Sequence, residues 1–198
     1  MGRNLFRGRN DCVFDFLIFG MKKLSMEELG RISVDTFRHA PKIPVVLLLD
    51  NIRSLHNVGS AFRTADAFAC ERIVLTGITG TPPHREIHKT ALGATDSVAW
   101  EYQVTPEEAV MKLKAEGYKI IVVEQTSVSK PLQKFKITPM EKICIVFGNE
   151  INGVSDGVLP MADDAIEIPQ AGTKHSLNIS VCVGIVCWEL FRQLRQVQ

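Results

Sequence analysis

The chain has 198 residues, enough for one domain with a full core, and its 45% hydrophobic and 23% charged content is that of an ordinary globular protein. A formal net charge of +1 excludes whole-molecule attraction to polyanions, so any nucleic-acid contact must use a local patch. No apolar stretch approaches the roughly 20 residues that span a bilayer, so no membrane association is expected.

Five cysteines, an odd number without a CxxC pair, sit mostly in apolar runs such as those around Cys144, Cys182 and Cys187. That usage fits buried reduced thiols in a cytoplasmic protein better than a disulfide framework. Near the start, Arg3, Arg7 and Arg9 precede an apolar CVFDFLIFG. Asp11 and Asp15 interrupt that run and no small-residue cleavage site follows, which argues against a signal peptide. Residues 1–20 are expected to be a poorly ordered extension, with a basic RNA-touching arm as the rival reading. Met21-Lys22-Lys23 resembles an ordinary cytosolic start.

Ser25 followed by Met26-Glu27-Glu28 is a capping-box pattern, which predicts a helix from there towards Arg38. Pro41 and Pro44 end it. Residues 1–42 are thus expected to form an extension with one helix, and 43–198 the main domain. Val45 to Leu49 is a continuous apolar run of the length of a buried strand, finishing in Asp50-Asn51 and loop residues through Gly59. Ala61 to Ala69 reads as a helix. Arg72 to Gly77 is a second short strand, Thr79 to Arg85 a loop, and Leu92-Gly93-Ala94 a tight segment. Ser97 to Val104 alternates like a strand, and Pro106 to Glu116 is a helix opened by Thr105. Tyr118 to Glu124 and Lys142 to Phe147 are further buried strands, joined by the polar stretch Gln125 to Glu141. A short run through Ile166 and Ile168 stops at Pro169, and His175-Ser176-Leu177-Asn178 opens a last helix. That helix is apolar on nearly every side in its first turns, a pattern that predicts burial. Alternating strands and helices, with strands apolar on both faces, predict one α/β domain built on a parallel sheet.

Ligands of such sheets bind outside the carboxyl ends of the strands. Four strand ends carry polar or glycine-rich loops: Asn51 to Gly59, Thr76 to Gly80, Gly148 to Gly153 and Pro169 to Asn178. There is no GxxxxGK[ST] and no GxGxxG after the first strand, which disfavours a phosphate-cradling loop and a nicotinamide enzyme. Nor is there a GxSxG elbow. His84 and His88 lie four apart without a matching carboxylate pattern, so no metal site is expected. What remains are polar groups suited to gripping a ligand. Arg63 could be only a surface ion pair, Glu150 a helix-capping carboxylate, and Asn178 a residue satisfying local backbone.

Their combination and order are more telling. NVGSAFRTADAF (Asn57–Phe68), IVFGNEINGVSD (Ile145–Asp156) and IPQAGTKHSLNISVCVGI (Ile168–Ile185) resemble the three motifs of the SpoU, or TrmH, family of RNA methyltransferases, part of the SPOUT superfamily. The resemblance covers roughly Val45 to Leu194. It implies an α/β fold with a parallel sheet flanked by helices and a C-terminal deep trefoil knot, formed by Lys142–Phe147, the strand ending at Ile168 and the final helix. It implies S-adenosylmethionine as cofactor, bound by Leu75, Thr76 and Gly77, by Phe147, Gly148, Asn149 and Glu150, and by Ile168, Pro169, Gln170, Gly172, Ser176, Leu177 and Asn178. The implied reaction is methyl transfer to a ribose 2′-hydroxyl of tRNA or rRNA, with Arg63, Asn57, Glu150, Ser176 and Asn178 as catalytic residues.

The resemblance further implies a homodimer whose site is completed across the interface. Ile151 stands where the family often has glycine, and Cys182 where alanine is usual. No large separate RNA-binding domain is expected before the core. RNA contacts would fall to Lys22, Lys23, Arg31, Arg38, Arg53, His56 and Arg63, with shape and phosphate contacts favoured over stacking because aromatic residues of the RNA-binding kind are few. Two other readings remain open: a non-catalytic RNA-binding homodimer, and a methyltransferase acting on a base nitrogen.

Overall fold

The computed structural model of the protein describes residues 22–25, 27–30, 32–174 and 176–195. The expected extension over 1–20, Arg31 and His175 lie outside them. The chain divides into a short unit ending at Ile32 and a second unit beginning at Ser33.

In the first unit the capping box forms. Ser25 N–H donates to Glu28 Oε2 at 2.7 Å, and Glu28 N–H donates back to Ser25 Oγ at 3.2 Å. It caps one turn only, because Gly30 turns left-handed at φ +59°. The single long helix expected from Ser25 to Arg38 is therefore replaced by this turn and, in the second unit, by α1 (Val34–His39), capped by Ser33.

β1 (Ile43–Asp50) carries alternate side chains into two cores. Val45, Leu47 and Leu49 face one and Val46 and Leu48 the other, all essentially inaccessible. α2 (Leu55–Ala67) begins at a Ser54 cap, earlier than predicted, so Asn57 and Gly59 are helical rather than looped. Gly59 serves packing: a Cβ there would lie 2.1 Å from Thr90 Oγ1 and 2.3 Å from Ile87 O. β2 (Cys70–Thr76) follows. α3 (Arg85–Ala91) fills a stretch left without an assignment after the loop expected to Arg85, and the single turn α4 (Ala94–Ser97) starts within the expected tight segment and takes Ser97, expected to open the next strand. β3 (Ala99–Gln103), α5 (Pro106–Ala115) and β4 (Lys119–Val123) match their predicted places. The polar stretch Gln125 to Glu141 hides a two-residue strand, β5 (Lys130–Pro131). β6 (Ile143–Phe147), β7 (Asp164–Glu167) and α6 (Ile179–Arg195) complete the chain.

The seven strands form one parallel sheet in the order β3-β2-β1-β6-β4-β7-β5. The chain builds outward from β1 to β3 and crosses to β4. It then inserts β6 between β1 and β4, and β7 between β4 and β5. α2, α3 and α6 pack on the core containing Leu47, and α5 on the core containing Leu48. Strands buried on both faces need such two-sided cover, which is why they read as unbroken apolar runs.

One expectation about α6 needs correction. It is not buried all round: Val183, Val186, Cys187, Leu190 and Leu194 are covered, but Val181 is 47% exposed, Ile185 37% and Trp188 53%. No described helix is long and apolar enough to cross a membrane.

Candidate functional site

The inserted strands bring three loops together at the carboxyl ends of β4, β6 and β7, next to the switch in strand order. They enclose a cavity of about 560 Å³, within the range of roughly 300–1,000 Å³ usual for small-molecule sites. Of the residues singled out by sequence, Phe147, Gly148, Asn149, Glu150, Ile168, Gln170, Ser176, Leu177 and Asn178 line it.

The loop after β6 is fixed by its own hydrogen bonds. Asn149 N–H donates to Gly153 O at 2.8 Å and Gly153 N–H donates to Asn149 O at 2.9 Å. The Asn149 carboxamide accepts from Ile151 N–H at 2.9 Å and donates to Asn51 O at 2.6 Å. Gly148 is required by close approach, since a Cβ would lie 2.2 Å from both Gly153 C and Val154 N. Gly153 has φ +71° and faces Glu124, whose Oε2 accepts from Val154 N–H at 3.1 Å.

The end of β1 ties this loop to the sheet. Asp50, fully buried, accepts from Ser155 N–H at 2.7 Å, Ser155 Oγ at 2.8 Å and Asn51 Nδ2 at 2.8 Å. A buried carboxylate satisfied by three donors is tenable where an unpaired one would be costly.

Glu150 lines the cavity and connects it to α2. Its Oε1 accepts from Asn57 Nδ2 at 3.0 Å and its Oε2 from Arg53 N–H at 3.4 Å. Burial pushes its carboxyl upward. The hydrogen bonds from Asn57 and from backbone N–H groups, including those of Arg53 and Ser54, outweigh that and hold it below the usual range. Glu150 is therefore kept as an anion. Asn57 stands one hydrogen bond behind the cavity wall.

Asn178 does what its structural alternative required. Its Oδ1 caps α6, accepting from Ser180 N–H at 2.8 Å and Ser180 Oγ at 2.5 Å. Its Nδ2 has no hydrogen-bond partner among the described residues, and neither does the exposed Ser176 hydroxyl. These groups, with Gln170, remain for a ligand.

Several residues fall elsewhere. Leu75, Thr76 and Gly77 do not line the cavity. β1 stands between β2 and β6, Leu75 and Thr76 are fully buried, and Thr76 Oγ1 donates to Leu49 O at 3.1 Å. Their expected place is taken by Val123, Glu124 and Gln125 after β4, which sequence reasoning missed. A carboxylate directly following a buried strand was the available signal. Ile151, Asn152, Gly153, Glu167, Ile179 and Cys182 also line the cavity. Cys182, read as buried, is partly accessible there. Pro169 and Gly172 lie exposed in the loop after β7, outside the lining.

Arg63 is exposed on α2, lies outside the lining, and has no hydrogen-bond or ion-pair partner among the described residues. Arg53 and His56 sit near the same helix start, His56 pairing with Glu86 at 2.9 Å. Arg38 Nε donates to Asp96 O at 2.8 Å. Lys22 pairs with Glu28 at 3.1 Å in the N-terminal unit, where Lys23 is exposed. No group of His, Cys, Asp and Glu suited to a metal ion occurs among the described residues.

The cavity fits S-adenosylmethionine in chemistry as well as size. Ile168 and Leu177 offer apolar cover for a ring, and loop backbone groups offer hydrogen bonds for its edge. Glu124, Glu150 and Glu167 place carboxylates around a space that would hold a cationic sulfonium.

Comparison with known proteins places these features in a family. Residues 44–188 match the SpoU rRNA Methylase family. The chain is 30% identical over 152 residues to the 23S rRNA (guanosine-2'-O-)-methyltransferase RlmB of Nitrosomonas europaea, covering 77% of this chain and 57% of that one. It is 33% identical over 171 residues to an uncharacterized tRNA/rRNA methyltransferase of Synechocystis, covering 84% and 42%. It therefore spans about half the length of these relatives. Among solved structures, the A. aeolicus TrmH/SpoU tRNA modifying enzyme superposes with a TM-score of 0.74 at 25% identity, covering 83% of both chains. An AdoMet-bound rRNA methyltransferase from Sinorhizobium meliloti superposes at 0.71 and 25% identity, covering 83% of this chain and 62% of that one.

Proposed function

The chain belongs to the SpoU rRNA methylase family, and from that premise we propose that it transfers a methyl group from S-adenosylmethionine to a ribose 2′-hydroxyl of tRNA or rRNA. The observation that carries the reading is the cavity itself. Two of the three family-like motifs, far apart in sequence, meet around it, and the third reaches it through the Asn57–Glu150 hydrogen bond.

The cofactor would be held by Val123–Gln125, Phe147–Glu150 and the loop from Ile168 to Asn178. When bound, it supplies an already electrophilic methyl group. The protein's share is then to align the ribose oxygen and to ease loss of its proton. Ser176 and the Asn178 amide are placed to donate to the cofactor or ribose. Glu150, held ionised, would offset the charge of a cationic sulfonium in the cavity and keeps Asn57 and the start of α2 in register with it.

A ribose hydroxyl is a weak acid, so the developing alkoxide needs a cation. Arg63 is assigned that part, gripping the substrate phosphate or ribose through its planar fork. Arg63 lies outside this chain's cavity, and a homodimer supplies a way to complete the site. Leu177, Val181, Ile185 and Trp188 form an exposed apolar stripe on and just before α6, and α2 packs beside that helix. We assign the stripe to the contact between two copies, with Arg63 of one copy serving the other's cavity. The knot expected of the family would comprise β6, β7 and α6. The fold and this chemistry suit a cytoplasmic protein.

Calorimetric titration with S-adenosylmethionine and its demethylated product tests the reading. Saturable binding at one site per chain is expected, followed by methyl transfer to bulk unmodified RNA that alkaline hydrolysis maps to 2′-O positions. A folded protein that binds RNA but neither cofactor form would be a non-catalytic RNA-binding scaffold. Transfer onto a base nitrogen would overturn the ribose assignment.

A further inference from the structure

A second cavity, of about 290 Å³, opens at the other end of the sheet, between the Pro82–Pro83 turn, α3, α4 and the edge strand β3. Its size is at the small end of ligand sites, roughly 300 Å³ and upward, which suits one planar ring system. It is distinct from the cofactor cavity. Trp100 shares a row of the sheet with Ile73, Leu47 and Ile145. Three strand spacings thus separate it from β6, roughly 14 Å.

Trp100 on its wall is 37% exposed and has no ring partner among the described residues, unlike Trp188, which stacks with Phe191. Two residues on, Tyr102 is 42% exposed on the same face of β3. Edge aromatics of this kind are the surfaces on which unpaired nucleobases stack.

The polar groups of the cavity form a donor–acceptor set. His84 Nδ1 accepts from Glu86 N–H at 3.1 Å as the cap of α3, so a neutral ring carries its proton on Nε2 and donates there. Asp96 is committed only through its backbone, whose carbonyl accepts from Arg38. Its exposed carboxylate has no hydrogen bond or ion pair among the described residues. Arg85 and Lys89 are exposed on α3, which supplies Ile87 and His88 to the wall, and Lys89 pairs with Glu86 at 2.8 Å.

We propose that this cavity takes an unpaired guanine base of the RNA substrate, stacked on Trp100, with the Asp96 carboxylate accepting from its N1–H and N2 amino group and His84 donating to O6. Adenine and uracil lack that paired-donor edge. The base is a neighbour of the methylated nucleotide rather than that nucleotide itself, because the two cavities lie at different strands. The inference rests on the RNA-modifying reading above and names part of its substrate: a single-stranded segment with a guanosine near the target.

The test is fluorescence anisotropy of the full chain with labelled oligoribonucleotides: a uridine-only decamer, and the same decamer with one central guanosine or adenosine. The guanosine decamer should bind best. Trp100→Ala should weaken it roughly tenfold, the scale of one base–aromatic stack, while Trp100→Phe keeps most of the affinity. Asp96→Ala should abolish the preference for guanosine over adenosine and leave uridine-only binding as it was. Both variants should bind S-adenosylmethionine like the native chain. A folded Trp100→Ala protein within about twofold of native affinity, or an Asp96→Ala protein that still prefers guanosine, overturns the proposal. Native protein that binds the cofactor but shows no preference among the decamers overturns it too and leaves the methyltransferase reading standing. If neither the cofactor nor any RNA binds, the reading beneath it fails.

Discussion

Replacing Gly148 with alanine isolates the loop that shapes the cofactor cavity. The new Cβ would sit 2.2 Å from Gly153 C and Val154 N, well inside ordinary carbon contact of about 3.5–4.0 Å, so the facing backbone must retreat by more than an ångström. Three hydrogen bonds hold that backbone: the pair between Asn149 and Gly153, at 2.8 and 2.9 Å, and Val154 N–H to Glu124 at 3.1 Å. A retreat of that size takes each beyond useful length. At about 1 kcal/mol net per bond, the loss is about 3 kcal/mol. For a chain of this length that corresponds to a fall in Tm of about 6–12 °C. Differential scanning calorimetry reads the fall, and titration with S-adenosylmethionine should show binding weakened at least tenfold, because Phe147 to Gly153 line the cavity. A variant with Tm within about 2 °C of native and unchanged cofactor affinity would refute the claim that this close approach sets the loop.

Arg63→Ala should leave folding and cofactor affinity unchanged, since the side chain is exposed and outside the cavity, while lowering methyl transfer by about a hundredfold or more; Arg63→Lys should not restore it, and retention of most activity would remove the residue from the mechanism. Ile185→Asp puts a charge in the α6 stripe and should yield a monomer by analytical ultracentrifugation with little activity; an active dimer would place the interface elsewhere. At high pH, Tyr118 provides a marker. Burial and the hydrogen bond to Glu71 push its hydroxyl up to about 12, so the folded state holds its proton more tightly than the unfolded chain, whose value is near 10. Its contribution is complete below about pH 10 and is lost as pH rises towards about 12. Tyr118→Phe should flatten denaturant midpoints measured across that window, and an unchanged slope would refute the assignment.

The sheet was legible because parallel strands covered on both sides leave unbroken apolar runs, as at Val45–Leu49 and Ile143–Phe147. α3 was not, because Arg85–Ala91 shows the core little more than Ile87 and Ala91. The start of α2 was hidden for a related reason: Leu55-His56-Asn57 carries no clear periodicity, and only the Ser54 cap marks it. At the site, the loops after β6 and β7 were readable as motifs. The Val123–Gln125 wall was not, because its place follows from β4 lying between β6 and β7, a matter of strand order that no local pattern encodes. Leu75–Gly77 falls outside the lining for the same reason. The apolar sequence of α6 could not reveal which face the chain covers itself and which it leaves for another surface.

On the proposed function, the distribution of charge would keep the two ligands apart. Glu124, Glu150 and Glu167 surround a cavity meant for a sulfonium cation, and the same carboxylates repel an RNA backbone. A chain of net charge +1 cannot overcome that by bulk attraction. Its cations must stand outside the cavity, and Arg53, Arg63, Arg85 and Lys89 are all exposed on or beside α2 and α3 rather than within it. On the proposed function, RNA lying along those helices would be held by phosphate contacts and would meet the cofactor only where the ribose enters. On this account binding of RNA should weaken steeply with salt, as phosphate-led association does, while cofactor affinity, set by backbone hydrogen bonds, apolar cover and a few carboxylates lining the cavity, should change much less over the same range.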